Sequence, residues 1–355
     1  MGGVRVWPSR PLFLLCVAFA LVSSVGVVSA DVSFQGETLP DGASTADRWV
    51  VANVSVDEPS VASFTWWWDG DGYTLLDDDL VLLFNFDNVA SLGESDSVIA
   101  DVTGHGFDGS WAGVPDADSG YNPAGVHGGA WYLDGDDPSV DVPGAWEVAM
   151  DGASSWAVSL WVYAESDTVN ILNAVDGTGW IWIGNDYAVG LHPDFYNLPA
   201  GDDETPDGAV DVGEWTHLAI TRDGTDISVY KNGVLFDTMA SSEPSNDDTP
   251  DTDLRIARYD GAESRLEGRL DEFYLFGRSL SSDEAWLLYR SGLRRLAPGG
   301  WEFFVNQTGV DEPLDYGTYS YKASYVDGDD AVESTGLRSV TVAPGSPGCG
   351  GITCE

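Results

Sequence analysis

Apolar and polar residues alternate with a period of two over much of the chain, which is the spacing of half-buried β-strands. Residues 50–56 read Val-Val-Ala-Asn-Val-Ser-Val, and residues 62–68 read Ala-Ser-Phe-Thr-Trp-Trp-Trp before an Asp-Gly-Asp-Gly turn. The dipeptide Asn232-Gly233 joins two further alternating runs and is the signature of a two-residue β-hairpin. The pattern predicts an all-β chain built of antiparallel sandwiches.

One segment has the pattern of a short helix instead. Ser281 and Glu284 have the three-residue spacing of a capping box, in which each side chain accepts a hydrogen bond from the other residue's backbone amide. Apolar residues follow at helical spacing, and Gly292 supplies a stop. We therefore predict one short helix near 282–291.

The first thirty residues have the three parts of a secretory signal peptide. Arg5 and Arg10 precede an apolar run over 12–28, which leads into a Val-Ser-Ala motif ending at Ala30. We expect cleavage after Ala30 and a secreted, extracellular or cell-surface location. The alternative is an uncleaved anchor, so contact with a membrane is expected only through such an anchor or a separate partner.

The charge balance excludes one large class of partners. The chain carries 15 Lys and Arg against 59 Asp and Glu, a formal net charge of −44. Binding to nucleic acid requires clustered cations, and so does adhesion to an anionic membrane surface. An acidic, lysine-poor composition is typical of proteins that work in concentrated salt, where like charges are screened. We predict a halophilic source; an ordinary acidic secreted protein is the alternative.

Five sequence blocks occur in a fixed order between residues 80 and 296. They are an opening strand at 83–87, a glycine-rich loop at 101–109, a Gly-Gly-Ala-Trp-Tyr-Leu-Asp-Gly block at 128–135, a hairpin over 215–233 and a strand with a helix lead-in at 268–281. Together they resemble the laminin-G-like branch of the concanavalin-A-like jelly-roll family. The resemblance implies a jelly-roll sandwich, but that fold hosts lectins, hydrolases and plain spacers, so it leaves the function open.

The segments on either side of this region are each too short to bury a core alone. Their combined length is that of one immunoglobulin-like sandwich. We therefore predict a jelly roll inserted in a loop of a discontinuous immunoglobulin-like module, a layout that resembles archaeal surface proteins. Two separate β pieces are the alternative. The predicted organisation is a signal peptide at 1–30, the two module halves at 31–79 and 297–343, the jelly roll at 80–296 and a flexible Gly/Pro/Cys tail at 344–355.

The sequence carries no recognisable catalytic motif. Glycosidases need paired carboxylates at a defined separation, and related laminarinases carry Glu-x-Asp-x-x-Glu on one strand. The pairs Glu94-x-Asp96 and Glu165-x-Asp167 begin this pattern but lack the third carboxylate. A Gly-x-Ser-x-Gly nucleophile motif is also missing. We predict no catalytic residues and no enzyme activity, with a glycoside hydrolase or lyase as the third-ranked function.

A recognition surface for a glycan requires aromatic faces beside polar groups. One stretch of the predicted jelly roll combines both, although most aromatic residues of a sandwich fill its core. The candidate ligand-binding residues are Trp180, Trp182, Asn185, Asp186, Tyr187, His192 and Tyr196. We predict a recognition module for a glycan or an extracellular protein; the alternative is a structural spacer without a specific ligand.

Three further kinds of site are predicted. The family resemblance and the preference of Ca²⁺ for hard oxygen ligands point to structural calcium and to no other cofactor. The candidate ligands are Asp101, Asp134, Asp136 and Asp271. Asn53 and Asn306 begin glycosylation sequons, and Cys349 and Cys354 can close a small disulfide loop outside the cell.

Overall fold

The computed structural model describes most of the chain between Val32 and Gly345. The described residues are 32–56, 61–112, 119–135, 139–149, 153–166, 170–175, 180–184, 192–195, 205–224, 226–240, 254–257, 266–309, 312–327 and 330–345. Because residues 1–31 and 346–355 lie outside this set, the signal peptide with its cleavage site at Ala30 and the pair Cys349 and Cys354 stay predictions.

Strands dominate the described residues, so the all-β prediction is confirmed. The strands are β1 Val32–Gln35, β2 Ala43–Thr45, β3 Val50–Val56, β4 Val61–Trp68, β5 Asp71–Leu76, β6 Leu80–Phe84, β7 Val98–Ile99, β8 Gly109–Ala112, β9 Gly120–Asn122, β10 Ala130–Asp134, β11 Ser139–Val142, β12 Ser155–Ala164, β13 Asn170–Val175, β14 Trp180–Gly184, β15 His192–Phe195, β16 Trp215–Asp223, β17 Asp226–Lys231, β18 Val234–Ala240, β19 Leu254–Ile256, β20 Glu267–Phe276, β21 Ser291–Ala297, β22 Gly300–Val305, β23 Gln307–Gly309, β24 Glu312–Pro313, β25 Gly317–Asp327, β26 Val332–Ser334 and β27 Arg338–Val342.

Helical structure is minor in the part of the chain that the structure describes. The predicted helix is present as α2, Ser282–Arg290, and its capping box between Ser281 and Glu284 is complete. A second helix, α1 (Ala145–Ala149), was not predicted, because five residues are too few to show a helical period. Neither helix is long and apolar enough to cross a membrane.

Two large sheets form the jelly roll. The first has eight strands in the order β18-β17-β16-β12-β20-β10-β9, with β6 also paired to β20, and the second has seven in the order β15-β14-β13-β19-β11-β8-β7. Their facing side chains, among them Phe84, Leu160 and Phe273, make one buried core. The predicted hairpin joins β17 to β18, where Asn232 and Gly233 have φ angles of 49° and 75°. The predicted jelly roll is confirmed.

Strands from both flanking segments pair with each other in two further sheets. The four-stranded sheet has the order β1-β3-β22-β21, and the six-stranded sheet has the order β2-β27-β25-β4-β5, with β26 also paired to β25. Ala52 is the partner of Phe303 in the first sheet, and Trp66 is the partner of Ala323 in the second. We call these two sheets the flank sandwich. Strands β23 and β24 form a separate small ribbon.

Aromatic rings fill the core of the flank sandwich. Trp66 stacks on Phe303 with ring centroids 4.2 Å apart and on Tyr321 at 5.6 Å. All three side chains are almost completely buried. Trp66 precedes the jelly roll and the other two rings follow it, so this core requires both ends of the chain.

The sequence-based boundary of the jelly roll at 296 falls within β21. This strand pairs with β22 in the flank sandwich, because α2 ends at Arg290 and the chain enters the four-stranded sheet at Ser291. Strand β21 therefore belongs by its pairing to the flank sandwich.

The eight-stranded sheet is covered on both faces. In β20, Phe273 and Leu275 lie in the jelly-roll core, whereas Tyr274 and Phe276 lie in the core that includes the flank sandwich. Successive side chains of a strand point to opposite faces. The nearly continuous apolar run of β20 follows from its position between two cores.

Candidate functional site

The predicted ligand-binding residues lie on and around one hairpin of the seven-stranded sheet. Strands β14 and β15 are antiparallel, and Trp182 is the partner of Asp194 while Gly184 is the partner of His192. Trp180, Trp182 and His192 therefore lie on two adjacent strands. Within the described strands, β15 is the edge of this sheet.

The other predicted contact residues lie outside the described residues. Asn185, Asp186 and Tyr187 belong to the segment 185–191, whose ends are the paired residues Gly184 and His192. Tyr196 follows the last residue of β15. The register puts the three residues on adjacent strands, with His192 opposite Gly184 and Trp180 at the other end of β14. The ligand-binding role of the whole set stays a prediction.

Asp101, a predicted calcium ligand, binds protein donors instead. Its Oδ1 accepts hydrogen bonds from the Thr103 hydroxyl at 2.7 Å and the Thr103 amide at 3.0 Å. Its Oδ2 accepts from the amides of Gly106 at 3.0 Å and Phe107 at 3.2 Å. The carboxylate thus fixes the loop that begins at Asp101, the usual role of aspartate in a glycine-rich turn.

Asp271 has a similar role in the interior. Its side chain is fully buried, and its Oδ2 accepts from the amides of Val126 at 2.7 Å and His127 at 3.1 Å. Burial raises the pKa of Asp271 well above its usual range. Asp101 and Asp271 thus have structural partners within the protein, and their calcium role stays a prediction.

The remaining calcium candidates do not form a site in the described residues. Asp134 lies on β10 opposite Glu267, and Asp136 lies outside the described part of the chain. Across the described ranges, no three His, Cys, Asp or Glu side chains are grouped to hold a metal ion. Calcium therefore stays a prediction.

A β-bulge in β20 gives the jelly roll a pair of adjacent buried carboxylates. Ser159 of β12 is the partner of Tyr274, but Trp161 is the partner of Asp271, so the register shifts between these pairs. Glu272 lies within the shift and has a φ angle of +49°. An extra residue of this kind is what a β-bulge inserts. Asp271 and Glu272 consequently both bond groups outside the jelly-roll core.

Glu272 organises a buried polar network with two neighbouring side chains. Its Oε2 accepts hydrogen bonds from Asn85 Nδ2 at 3.0 Å and from the Tyr274 hydroxyl at 3.2 Å. Burial raises the pKa of Glu272 well above normal, and the adjacent Asp271 carboxylate adds to the rise. Burial, followed by the Glu272 charge, raises the pKa of the Tyr274 phenol in the same direction.

The same two side chains complete the hydrogen bonding of β21, an edge strand of the flank sandwich. Asn85 Nδ2 donates to the Leu293 carbonyl at 3.0 Å, and Asn85 Oδ1 accepts from the Arg295 amide at 3.1 Å. The Leu293 amide donates to the Tyr274 hydroxyl at 3.3 Å. Backbone groups of an edge strand that lack a neighbouring strand need such partners when they are buried.

An ion-pair chain runs beside this network. The Arg294 guanidinium donates from Nη1 to Asp87 Oδ1 at 3.3 Å and from Nε to Glu302 Oε1 at 3.0 Å. Burial disfavours the Arg294 charge, but the carboxylates of Asp87 and Glu302 outweigh it and raise its pKa. Asp87 comes from the jelly roll and the other two residues from the flank sandwich. The two bodies are therefore joined by specific polar contacts as well as by apolar packing.

Comparison with known families gives a match to part of the jelly roll. Residues 134–285 match a family model described as Concanavalin A-like lectin/glucanases superfamily. This range includes β14 and β15 and ends in α2. No curated protein sequence matches the chain.

Three solved structures are similar to parts of the chain. Domain 4 of AbnA, a GH43 extracellular arabinanase from Geobacillus stearothermophilus, in complex with arabinotriose, is 21% identical with a TM-score of 0.43 and covers 59% of this chain and 97% of its own. Trypanosoma rangeli sialidase in complex with sialic acid is 17% identical with a TM-score of 0.44, over 62% of this chain and 34% of its own. The binding domain of Paraclostridial Mosquitocidal Protein 1 is 16% identical with a TM-score of 0.40, over 70% and 64%.

One glycosylation sequon lies in the flank sandwich, and the other begins between β22 and β23. Asn53 is in the middle of β3, and its amide donates to the Thr38 hydroxyl at 2.7 Å. Asn306 lies between β22 and β23, and its amide donates to the Arg290 carbonyl at 3.0 Å. Both residues are half-buried, and both side-chain oxygens are buried without a hydrogen-bond partner in the described ranges. Glycosylation at these residues stays a prediction.

The junction network was not predicted, although the sequence carries one signal for it. Glu272 follows Asp271 inside the apolar run Leu-Asp-Glu-Phe-Tyr-Leu-Phe, and two adjacent charges break the alternation of a strand. The partners Asn85, Asp87 and Arg294 lie far away in sequence, so their meeting depends on the tertiary fold.

Proposed function

We propose that this chain is a secreted or cell-surface recognition module whose jelly roll binds an uncharged glycan at the β14–β15 hairpin and performs no chemistry on it. The observation that carries the proposal is the register of that hairpin. It puts Trp180, Trp182 and His192 on adjacent strands, with Gly184 and His192 as a pair at one end of the hairpin. The family match over 134–285 supports a carbohydrate as the ligand.

The charge of the chain selects the kind of glycan. A formal net charge of −44 repels uronic and sialic acids at low salt, whereas an uncharged sugar is indifferent to it. Aromatic residues such as Tyr187 and Tyr196 supply ring faces, and Asp186 and Asn185 supply hydrogen-bond acceptors for hydroxyl groups. The acidic composition also supports function in a saline, extracytoplasmic setting.

An immunoglobulin-like identity for the flank sandwich is part of the same proposal. Its length and its pairing of strands from both flanks support this assignment. The buried polar junction supports a role for the sandwich in presenting the jelly roll at a fixed angle on a larger surface assembly.

A glycan array in molar NaCl tests the function. We expect neutral oligosaccharides to bind in molar NaCl, and to bind in preference to acidic ones when the array is repeated at low salt. We expect Tyr187→Ala to weaken binding about tenfold, which corresponds to one lost ring contact. Tyr316→Ala is the matched control, since Tyr316 is 55% exposed and lies in the flank sandwich segment. It should bind as the unmodified protein does.

Two results would overturn the proposal. A folded protein that binds no glycan on the array would favour the spacer without a ligand. Release of free sugar from a bound oligosaccharide would establish a hydrolase or lyase in place of a recognition module.

A further inference from the structure

A pocket of about 340 Å³ lies between the flank sandwich and the jelly roll. We call it the junction pocket, and its described lining includes no residue of β14 or β15. Its volume is within the range of small-molecule sites. The side chains used below are Glu37, Asp47, Trp49, His127, Arg294 and Phe304.

Three distant parts of the chain supply the walls. One wall comes from the flank that precedes the jelly roll and includes Trp49, and a second comes from β21 and β22 and includes Arg294 and Phe304. The third is the 126–128 loop of the jelly roll. The pocket therefore exists only when both flanks and the inserted body are assembled.

The glycines of the jelly-roll loop let its backbone approach the other walls. A Cβ atom on Gly128, whose φ angle is +84°, would lie 1.8 Å from Arg294 Nη1. A Cβ atom on Gly125 would lie 1.8 Å from the Gly129 carbonyl oxygen. The Gly-x-x-Gly-Gly spacing of this loop is thus explained by close packing at the pocket.

His127 is a buried polar side chain in the pocket wall with unused hydrogen-bonding capacity. It is 4% exposed, and its ring meets Phe304 edge-on with centroids 4.3 Å apart. Neither ring nitrogen has a hydrogen-bond partner among the described residues. Burial lowers the pKa of His127 to about 3, so the ring is neutral and offers one donor and one acceptor.

Both nitrogens are also closed to solvent, so a ligand in the pocket does not reach them. Because its ring lines the wall, His127 serves as a reporter for events in the pocket.

The charges around the pocket disfavour an anion. Glu37 and Asp47 are exposed carboxylates in its lining, while the Arg294 guanidinium already pairs with Asp87 and Glu302. A negatively charged ligand would meet uncompensated carboxylates. Hydroxyl groups, in contrast, donate well to carboxylates, and such charge-assisted hydrogen bonds are stronger than neutral ones.

The junction pocket also has an exposed aromatic side chain in its lining. Trp49 is 46% exposed, and its ring lies 6.0 Å from that of Phe304 with an interplanar angle of 31°. Tyr121, 41% exposed, packs over Gly129 next to the pocket residue Gly128. An accessible indole beside carboxylates suits a molecule with an apolar C–H face and a polar rim.

We infer that the junction pocket binds an uncharged polyhydroxyl compound of monosaccharide size, with its C–H face on Trp49 and its hydroxyl groups toward Glu37 and Asp47. This site is separate from the hairpin site and does not depend on it. A ligand in the pocket contacts both the flank sandwich and the jelly roll, so its binding holds these two parts together.

Nuclear magnetic resonance of the full mature chain, labelled with ¹⁵N in histidine, tests the inference. D-Glucose, D-galactose, D-mannose and L-arabinose are titrated separately. We expect at least one of them to shift the ring nitrogens of His127 and to bind with a dissociation constant in the millimolar range. The ring signals of His105 and His217, which do not line the junction pocket, serve as internal references.

Variants locate the site. We expect Trp49→Ala to weaken the response at least fivefold, about 1 kcal/mol, and Glu37→Gln to weaken it less. Both residues are exposed, so both variants are expected to fold, which circular dichroism checks. Tyr316→Ala, an exposed aromatic residue outside the pocket lining, should leave the affinity unchanged, and so should Tyr187→Ala in the hairpin segment.

Three outcomes would overturn the inference. The first is the absence of any His127 shift with all four sugars. The second is an unchanged affinity in folded Trp49→Ala. The third is tighter binding of tetramethylammonium or glucuronate than of every neutral sugar, since either would identify a site for an ion.

Discussion

Asp101 shows how one residue supports two different expectations. An aspartate in a glycine-rich turn is equally suitable as a calcium ligand and as an acceptor for backbone amides, and the sequence alone does not distinguish these roles. The structure shows the second role, because four donors from residues 103–107 bind the two carboxylate oxygens, and the calcium role stays a prediction. The positions of those donors follow from the fold of the loop, which a pattern of residue types does not specify.

Glu94 makes stability depend on pH in a defined direction. It is 7% exposed, accepts a hydrogen bond from the Val89 amide, and burial raises its pKa to about 7. The folded protein therefore keeps this proton up to about pH 7, while the unfolded chain loses it near the ordinary glutamate pKa of 4.5. Stability from this group is present below pH 4.5 and is lost as the pH rises through 7.

We predict that Glu94→Gln stabilises the protein at pH 8 by up to about 3 kcal/mol and has little effect at pH 4. Urea unfolding at a series of pH values measures the difference. Asp96→Asn is the control, since it removes an exposed carboxylate two residues away. A Glu94→Gln effect that is the same at pH 4 and pH 8 would disprove the assignment.

At the scale of elements, the strands and the helix that have strong local patterns were predictable. Helix α2 was predicted from its capping box, and the β17–β18 hairpin from Asn232-Gly233, because both depend on neighbours within a few residues. The bulge at Glu272 was not, because it depends on the register between β20 and β12. Most aromatic and polar contacts of the junction likewise depend on residues that are far apart in the sequence.

The capping box of α2 offers a test at this scale. The Ser281 hydroxyl accepts from the Glu284 amide at 3.3 Å, and Glu284 Oε2 accepts from the Ser281 amide at 2.8 Å. We predict that Ser281→Ala lowers the free energy of unfolding by about 1 kcal/mol, the usual value of an N-cap. Ser282→Ala, at the exposed first helical residue, should cost much less; equal losses in urea unfolding would contradict the capping role.

At the scale of the whole molecule, the net charge affects the free energy of folding. Forty-four net negative charges are closer together in the folded state than in the unfolded chain, so their repulsion destabilises folding at low salt. At molar concentration, added salt screens the repulsion between charges that are more than about 3 Å apart.

We therefore predict that the melting temperature rises by at least about 5 °C between dilute and molar NaCl. Differential scanning calorimetry measures the rise. Sucrose at matched concentration is the control, because it stabilises folded proteins without screening charge. A melting temperature that does not change with NaCl would contradict a salt-adapted surface. A rise in NaCl no larger than the rise in sucrose would contradict it as well.

The pairing of both flanks with each other was inferred from length and strand pattern. The junction pocket was beyond sequence reasoning, since its walls combine residues near 37–49, 126–128 and 294–304. No local signal links segments so far apart in the chain. Their meeting follows only once strands on both sides of the jelly roll share the same sheets.

The central claim is that residues before and after the jelly roll complete one sandwich. Thr65 of β4 is the partner of Ser324 of β25. In a mature chain with Cys349→Ser and Cys354→Ser, the pair Thr65→Cys and Ser324→Cys should form an intramolecular disulfide under mild oxidation, because paired strands hold their Cα atoms within bonding range.

The matched control is Thr65→Cys with Ser320→Cys, because Ser320 lies on the same strand but is paired with Ser339. Mass spectrometry of the oxidised, digested protein reads out both pairs. We expect a disulfide between positions 65 and 324 and none between 65 and 320. Equal linkage in both variants, or linkage only between separate molecules, would contradict it.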